Sequence, residues 1–223
     1  MIHVLEEFDE NILKQVFTGE KDLIIIKNAD INVIEETVNW QKVYISDELE
    51  ETVSSLGIRA DHELPWHIDR ILHNPKPLAV NSLYCKKFEE GASPTYFSFM
   101  RRENILTEHL NKVVNYSYSH YKTQGLRLKQ NNNTIQEETY HLVQEDDFGK
   151  YYFYTTNISD QNYEELYDDT NYLYIHNWSV GDFILWNNYT MGHRRGSSLG
   201  HSRDFIKLLL KDEGEYLGYR KLI

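Results

Sequence analysis

Cysteine is almost absent from this chain. Cys85 is the only one, which excludes an intrachain disulfide and any cluster of thiolate metal ligands. Its plainest role is that of a small buried hydrophobe within the run 78–85. Long apolar runs are missing too, since no stretch approaches the roughly 20 residues that a membrane span requires. The first residues are acidic (Glu6, Glu7, Asp9, Glu10) rather than basic and then apolar, so they do not read as a secretion signal. The expectation is a cytoplasmic protein with no membrane partner, in which the Asn-X-Ser/Thr sequons carry no weight. Basic residues are in deficit as well: 23 Lys and Arg stand against 35 Asp and Glu, for a formal net charge of −12. A phosphate polymer would be repelled, and no Lys/Arg stripe overrules that, so nucleic acid is not an expected partner.

Aromatic residues, by contrast, are plentiful. Seventeen Tyr and nine Phe within 223 residues favour pleated, half-buried surfaces and point toward sheet. The length suits a single domain, 1–223, with one sizeable core. Residues 9–18 place Ile12, Leu13, Val16 and Phe17 on one helical face, with Asp9 as N-cap. The segment 22–27 holds the run Leu-Ile-Ile-Ile of a buried strand, and 32–39 and 47–55 suit short amphipathic helices. Strands are expected at 78–84 and 95–99, separated by a Gly-Ala-Ser-Pro turn. A helix is expected over 103–114, its stripe formed by Ile105, Leu106, Leu110 and Val113. A polar surface loop at 127–138 precedes strands at about 139–144, 150–156, 171–177, 182–186 and 203–210, with a short helix near 160–168. The sum is a mainly β chain with flanking helices: a helical N-terminal part over about 1–60, then a sheet barrel or sandwich over about 61–211.

The chemistry concentrates in Trp66-His67-Ile68-Asp69. If that segment is extended, His67 and Asp69 leave the same face and come close enough to share one ion. Ten histidines and 35 acidic residues make a His-X-acid match common by chance, so the motif alone says little. A second signal follows in Trp178-Ser-Val-Gly-Asp182-Phe-Ile-Leu-Trp186-Asn187-Asn188-Tyr-Thr-Met-Gly-His193. Gly181-Asp182 reads as a tight turn between two aromatic-rich strands, with His193 just past the second. Two imidazoles and one carboxylate around one ion leave three positions open, the arrangement used by iron oxygenases. Arg203 and Lys207 are four apart on an expected strand, so both cations share a face, and a dicarboxylate would answer a buried Arg.

The ordered set of landmarks resembles the taurine dioxygenase/TfdA-like family of Fe(II)/2-oxoglutarate dioxygenases. It runs from about 62 to 210 through His67-Ile-Asp69, Pro75-Lys-Pro77, Ser82-Leu-Tyr84, Gly91-Ala-Ser-Pro-Thr95, Ser119-His120-Tyr121, Phe148-Gly149, Trp178-X-X-Gly-Asp182, Trp186-Asn187-Asn188, His193 and Arg203. The resemblance implies a double-stranded β-helix (jelly-roll, cupin-like) core and iron ligation by His67, Asp69 and His193. It also implies a 2-oxoglutarate site in which Thr95 bonds the distal carboxylate, Arg203 pairs with it and Lys207 adds a further basic position. Trp186-Asn187-Asn188 departs from the family's Trp-Asp-Asn, Lys207 stands where Arg is common, and the chain is short before Trp178.

With O2 as second co-substrate, such a site releases succinate and CO2 and by default hydroxylates an aliphatic C–H of a small molecule, an amino acid or a natural-product intermediate. A protein- or RNA-modifying oxygenase of the JmjC type and a non-catalytic jelly-roll binding protein are the alternatives. Arg70 and Arg194 flank the ligands and are candidate substrate contacts, although for these and Arg195 a solvated rim is the plainer reading. Trp66, Trp178 and Trp186 read as core, Asp182 as a turn residue, and His176 as structural. No catalytic group is expected beyond the metal ligands, and the oligomeric state is not legible.

Overall fold

A computed structural model describes residues 2–37, 40–46, 63–69, 79–99, 107–116, 138–145, 151–153, 167, 173–196 and 201–210. Helix α1 (Glu10–Phe17) starts where the Asp9 side chain accepts the Ile12 N–H at 3.1 Å, and it buries Ile12, Leu13, Val16 and Phe17. The N-cap and the buried face are those expected from the sequence. Helix α2 (Ile31–Thr37) is shorter and buries only Ile34.

Ten strands form two sheets. β1 (Ile2–Leu5), β2 (Leu23–Ile26), β3 (Trp40–Ser46), β5 (Val80–Phe88), β12 (Phe183–Asn187) and β14 (Arg203–Leu210) make a six-stranded sheet in the order β1-β2-β12-β5-β14-β3. β4 (Leu64–His67), β6 (Thr95–Phe99), β11 (Leu173–His176) and β13 (Met191–Arg195) make a four-stranded sheet in the order β11-β6-β13-β4. Every pairing is antiparallel except β1 with β2. Two short ribbons complete the described chain, β7 (Val113–Tyr116) with β8 (Glu138–His141), and β9 (Val143–Glu145) with β10 (Tyr151–Phe153). The fold is the jelly roll expected from the sequence.

Side-chain parity explains the apolar runs. On β2 and β12, Ile24, Ile26, Phe183 and Leu185 join the core beneath α1, whereas Leu23, Ile25, Ile184 and Trp186 join a second core with Phe97 and Met191 of the smaller sheet. Both faces of these strands are covered, so they read as continuous hydrophobic stretches rather than alternating ones. On β14 the same parity sends Phe205 between the sheets and Ile206, Leu208 and Leu210 outward beneath α1. Arg203 and Lys207 therefore share the inter-sheet side with Phe205, as their spacing had implied.

Three expectations change. The N-terminal part over 1–60 is not simply helical, because β1, β2 and β3 supply half of the larger sheet; β1 and β3 complete its edges. The helix expected over 103–114 is described only as α3 (Thr107–Leu110), and the chain is already a strand from Val113. Consecutive valines favour a pleated conformation, and Leu110 and Val113 are exposed rather than forming a buried stripe. His193, expected just past a strand, lies within β13. The helix at 47–55, Ile105, Leu106 and all of 160–168 except Tyr167 lie outside the described residues. Among those described, no helix is long and apolar enough to cross a membrane.

Candidate metal centre

The antiparallel pairing of β4 with β13 sets His193 directly opposite His67. Their rings stand 4.2 Å apart between centroids, inclined at 48°. Asp69 follows just beyond the end of β4 and turns its carboxylate toward both. Its Oδ2 is 3.2 Å from His193 Nε2 and its Oδ1 is 3.9 Å from His67 Nε2. One ligand atom from each of the three residues lies within 4.8 Å of the others. Metal–donor bonds of about 2.1 Å put neighbouring donors about 3 Å apart, so small side-chain adjustments close this set on one ion. The donors are two imidazoles and a carboxylate, which fit a divalent first-row metal and leave a face for other ligands. Both imidazoles are buried. His193 is held against the edge of Trp186 at 5.0 Å and the face of Phe97 at 6.3 Å, and its buried Nδ1 has no hydrogen-bond partner among the described residues.

The charge on Asp69 is secured from several sides. Burial alone would favour the neutral acid, but Lys207, then His193 and His67, outweigh it and hold the carboxyl well below the usual carboxylate range. Lys207 Nζ and Asn81 Nδ2 both donate to Oδ2. The ammonium expected beside a co-substrate is thus engaged with the ligand carboxylate itself. Asn188 grips the Asp69 backbone, accepting from its N–H and donating to its carbonyl. Asn187 works elsewhere: its Nδ2 donates to Val16 O at 2.8 Å at the end of α1, and its Oδ1 accepts the Tyr189 N–H at 2.9 Å. Asn81 and Asn188 were not singled out as partners of Asp69 from sequence. Only the position of Asn188 beside Trp186-Asn187 hinted at a role.

A cavity opens beside the triad, lined by His67, Asp69, His193 and Lys207, by Thr95, Arg195 and Arg203, and by apolar Ile45, Leu64, Leu83, Trp186 and Phe205. Arg203 is buried, donates to Ser93 O at 2.7 Å and lies over the Phe205 ring at 4.9 Å. Thr95 accepts a hydrogen bond from Trp178 Nε1 at 2.9 Å. Thr95 and Arg203, far apart in sequence, therefore meet in one pocket with the triad.

Arg194 and Arg195 behave differently from expectation. The guanidinium of Arg194, although it borders the cavity, stacks over Trp66 at 5.1 Å and Tyr96 at 4.6 Å. These residues neighbour His67 and Thr95 along their strands, so alternation places them on the opposite sheet face, and the geometry directs Arg194 away from the metal ligands. Arg195 shares the face of His193, pairs in register with Thr95 and is 5% exposed, which rules out a solvated rim position. Arg70 lies outside the described residues. On the outer face, the buried Tyr167 stacks on Trp66 at 5.4 Å and accepts Ser98 Oγ at 2.6 Å with its carbonyl.

Behind Thr95 sits a second buried polar group. Asp182, more than a turn residue, accepts from Lys27 Nζ at 2.8 Å and from the Ser179 N–H at 2.9 Å, and contacts His176 Nε2 at 2.9 Å. Tyr174 reaches the other nitrogen of His176 at 3.0 Å. Burial, the largest influence, disfavours the imidazolium and lowers the His176 pKa despite the Asp182 carboxylate.

The family model described as "Taurine catabolism dioxygenase TauD, TfdA family" matches residues 41–208. Among solved structures, AAD-2 in complex with Mn(II) and N-oxalylglycine superposes with a TM-score of 0.69 at 13% identity, over 94% of each chain. A taurine dioxygenase from Burkholderia xenovorans gives a TM-score of 0.61 at 9% identity, over 92% of this chain and 82% of its own. No curated protein sequence matches at a significant level.

Proposed function

The chain belongs to the TauD/TfdA family of dioxygenases, and from that premise we propose that it uses Fe(II) and 2-oxoglutarate to hydroxylate an aliphatic C–H of a small molecule. The convergence of His67, Asp69 and His193 carries this reading. These three would hold the iron, and bound iron supplies the oxidative chemistry that converts 2-oxoglutarate and O2 to succinate and CO2 while oxidising the substrate.

The chain's own residues bind and orient. Arg203 would pair with the distal carboxylate of 2-oxoglutarate and Thr95 would donate to it, at the end of the cavity away from the triad. The charge of Lys207 keeps Asp69 ionised and offsets the second carboxylate. Leu83, Trp186 and Phe205 supply apolar walls that exclude water from the reacting end. The AAD-2 complex, which pairs Mn(II) with N-oxalylglycine in a related fold, supports a metal and an oxo-acid-like ligand occupying one site. The intact ligand set argues against a non-catalytic binding protein.

The test is an anaerobic titration with Fe(II) and 2-oxoglutarate. A visible charge-transfer band that requires both is expected, followed by succinate release in air that a substrate accelerates. A protein that binds neither ion nor oxo-acid would refute the proposal.

A further inference from the structure

We propose that Trp178 is a positioning residue for the co-substrate site, aiming the hydroxyl proton of Thr95 at the bound carboxylate. This rests on the 2-oxoglutarate reading above and adds a residue with no place in it. An indole N–H is a donor only, so in the 2.9 Å contact Thr95 Oγ1 must be the acceptor. The bond occupies one lone pair of the oxygen and leaves its single proton to turn elsewhere. Among the described residues, Thr95 Oγ1 has no other hydrogen-bond partner. The cations that share its cavity, Arg194, Arg195, Arg203 and Lys207, are themselves donors and have no lone pair for it, and the carboxylate there, Asp69, is engaged by Lys207 and Asn81. The acceptor that suits the hydroxyl is therefore one a ligand brings, and an anionic oxygen suits it best. Without the indole, the hydroxyl is free to turn its lone pairs toward the ligand, which would repel a carboxylate.

The indole is placed firmly enough for this task. Trp178 is buried and wedged edge-on between His176 at 4.6 Å and Phe205 at 4.7 Å. His176 is fixed in turn by Asp182 and Tyr174, and Phe205 underlies the Arg203 guanidinium. The two groups assigned to one carboxylate, Thr95 and Arg203, are thus braced by touching aromatic rings. A preset donor loses less orientational freedom on binding than a free rotor does.

The experiment measures 2-oxoglutarate affinity by calorimetry in the anaerobic Mn(II)-loaded protein, for Trp178→Phe, Thr95→Val and the double variant. Trp178→Phe is expected to weaken 2-oxoglutarate about three- to tenfold, the range of one neutral hydrogen bond, with Mn(II) affinity unchanged. In the Thr95→Val background it should cause no further loss, because its effect passes through that hydroxyl. Equal weakening in both backgrounds, or none in either, overturns the proposal. Should Trp178→Phe fail to fold, benzothienylalanine at 178 keeps the bicyclic ring and replaces its N–H with sulfur, which cannot donate, with the same expectations. If the unsubstituted Mn(II) protein binds no 2-oxoglutarate, the underlying functional reading falls first.

Discussion

Asn188 holds the main chain of Asp69 at both ends, its Oδ1 accepting the Asp69 N–H at 3.0 Å and its Nδ2 donating to the Asp69 carbonyl at 2.7 Å. Asp69 lies past the last paired residue of β4, so this clamp substitutes for the missing ladder. Replacing Asn188 with Ala removes two partly buried hydrogen bonds from the Asp69 main chain. Metal affinity should fall about 10- to 100-fold, the range for partners outside the direct ligand shell, with about 2 kcal/mol of stability lost. Mn(II) titration and urea unfolding read the two effects separately.

The ligands themselves should be more sensitive. His67→Ala, Asp69→Ala and His193→Ala are each expected to abolish tight Mn(II) binding and substrate-linked succinate formation. Near-normal turnover in any one would remove that residue from the ligand set.

Arg203→Ala separates the co-substrate from the metal. Truncating one partner of a buried charge pair costs about 2 kcal/mol or more, so 2-oxoglutarate affinity should drop at least about thirtyfold while Mn(II) affinity is held. An unchanged 2-oxoglutarate requirement would mean that the distal carboxylate sits elsewhere.

His176 supplies a pH dependence of stability. Its pKa in the folded protein lies below the ordinary 6.5, chiefly through burial. A lowered pKa means that the unfolded chain takes up the proton first as acidity rises. The contribution is complete above 6.5 and is lost as pH falls through the folded value. Urea unfolding of the apo-protein should show stability declining on the acid side of that ordinary value, and His176→Gln should flatten the decline. An equally steep profile in the variant would assign the effect to other groups.

Gly192 precedes a ligand and has no room for a side chain, since an added Cβ would fall 2.2 Å from a Tyr167 ring carbon. Tyr167 is fully buried, stacked on Trp66, so the ring cannot swing aside without disturbing the strand that carries His67. Gly192→Ala should cost about 1–3 kcal/mol, as overpacking does, and weaken metal binding. Thermal melts with and without Mn(II) distinguish the two losses.

Much of this was readable from residue order. The Asp9 cap, the four buried positions of α1, the strand at 203–210 and the shared face of Arg203 and Lys207 follow from local periodicity and hydrogen-bonding chemistry, which the chain carries in adjacent residues. Edge strands were harder. β1 has a mixed sequence in keeping with a sheet edge where its residues are half-buried or exposed, and pairing partners rather than propensity make it a strand. The 113–114 valines show the reverse error, where an apolar spacing suited a helix but two β-branched residues suited a strand better.

The sequence alone determined which donors were available: two histidines, one aspartate, a basic pair and a threonine, in an order that resembles one enzyme family. Only the tertiary structure decided how they are used. The register of β4 on β13 joins His67 to His193, strand parity turns Arg195 inward and Arg194 outward, and Asp69 draws Lys207, Asn81 and Asn188 from three separate segments. The physical reason is that a strand's own sequence reports which residues alternate. Which face meets the site, and which distant group completes a hydrogen bond there, depends on contacts with no local signature.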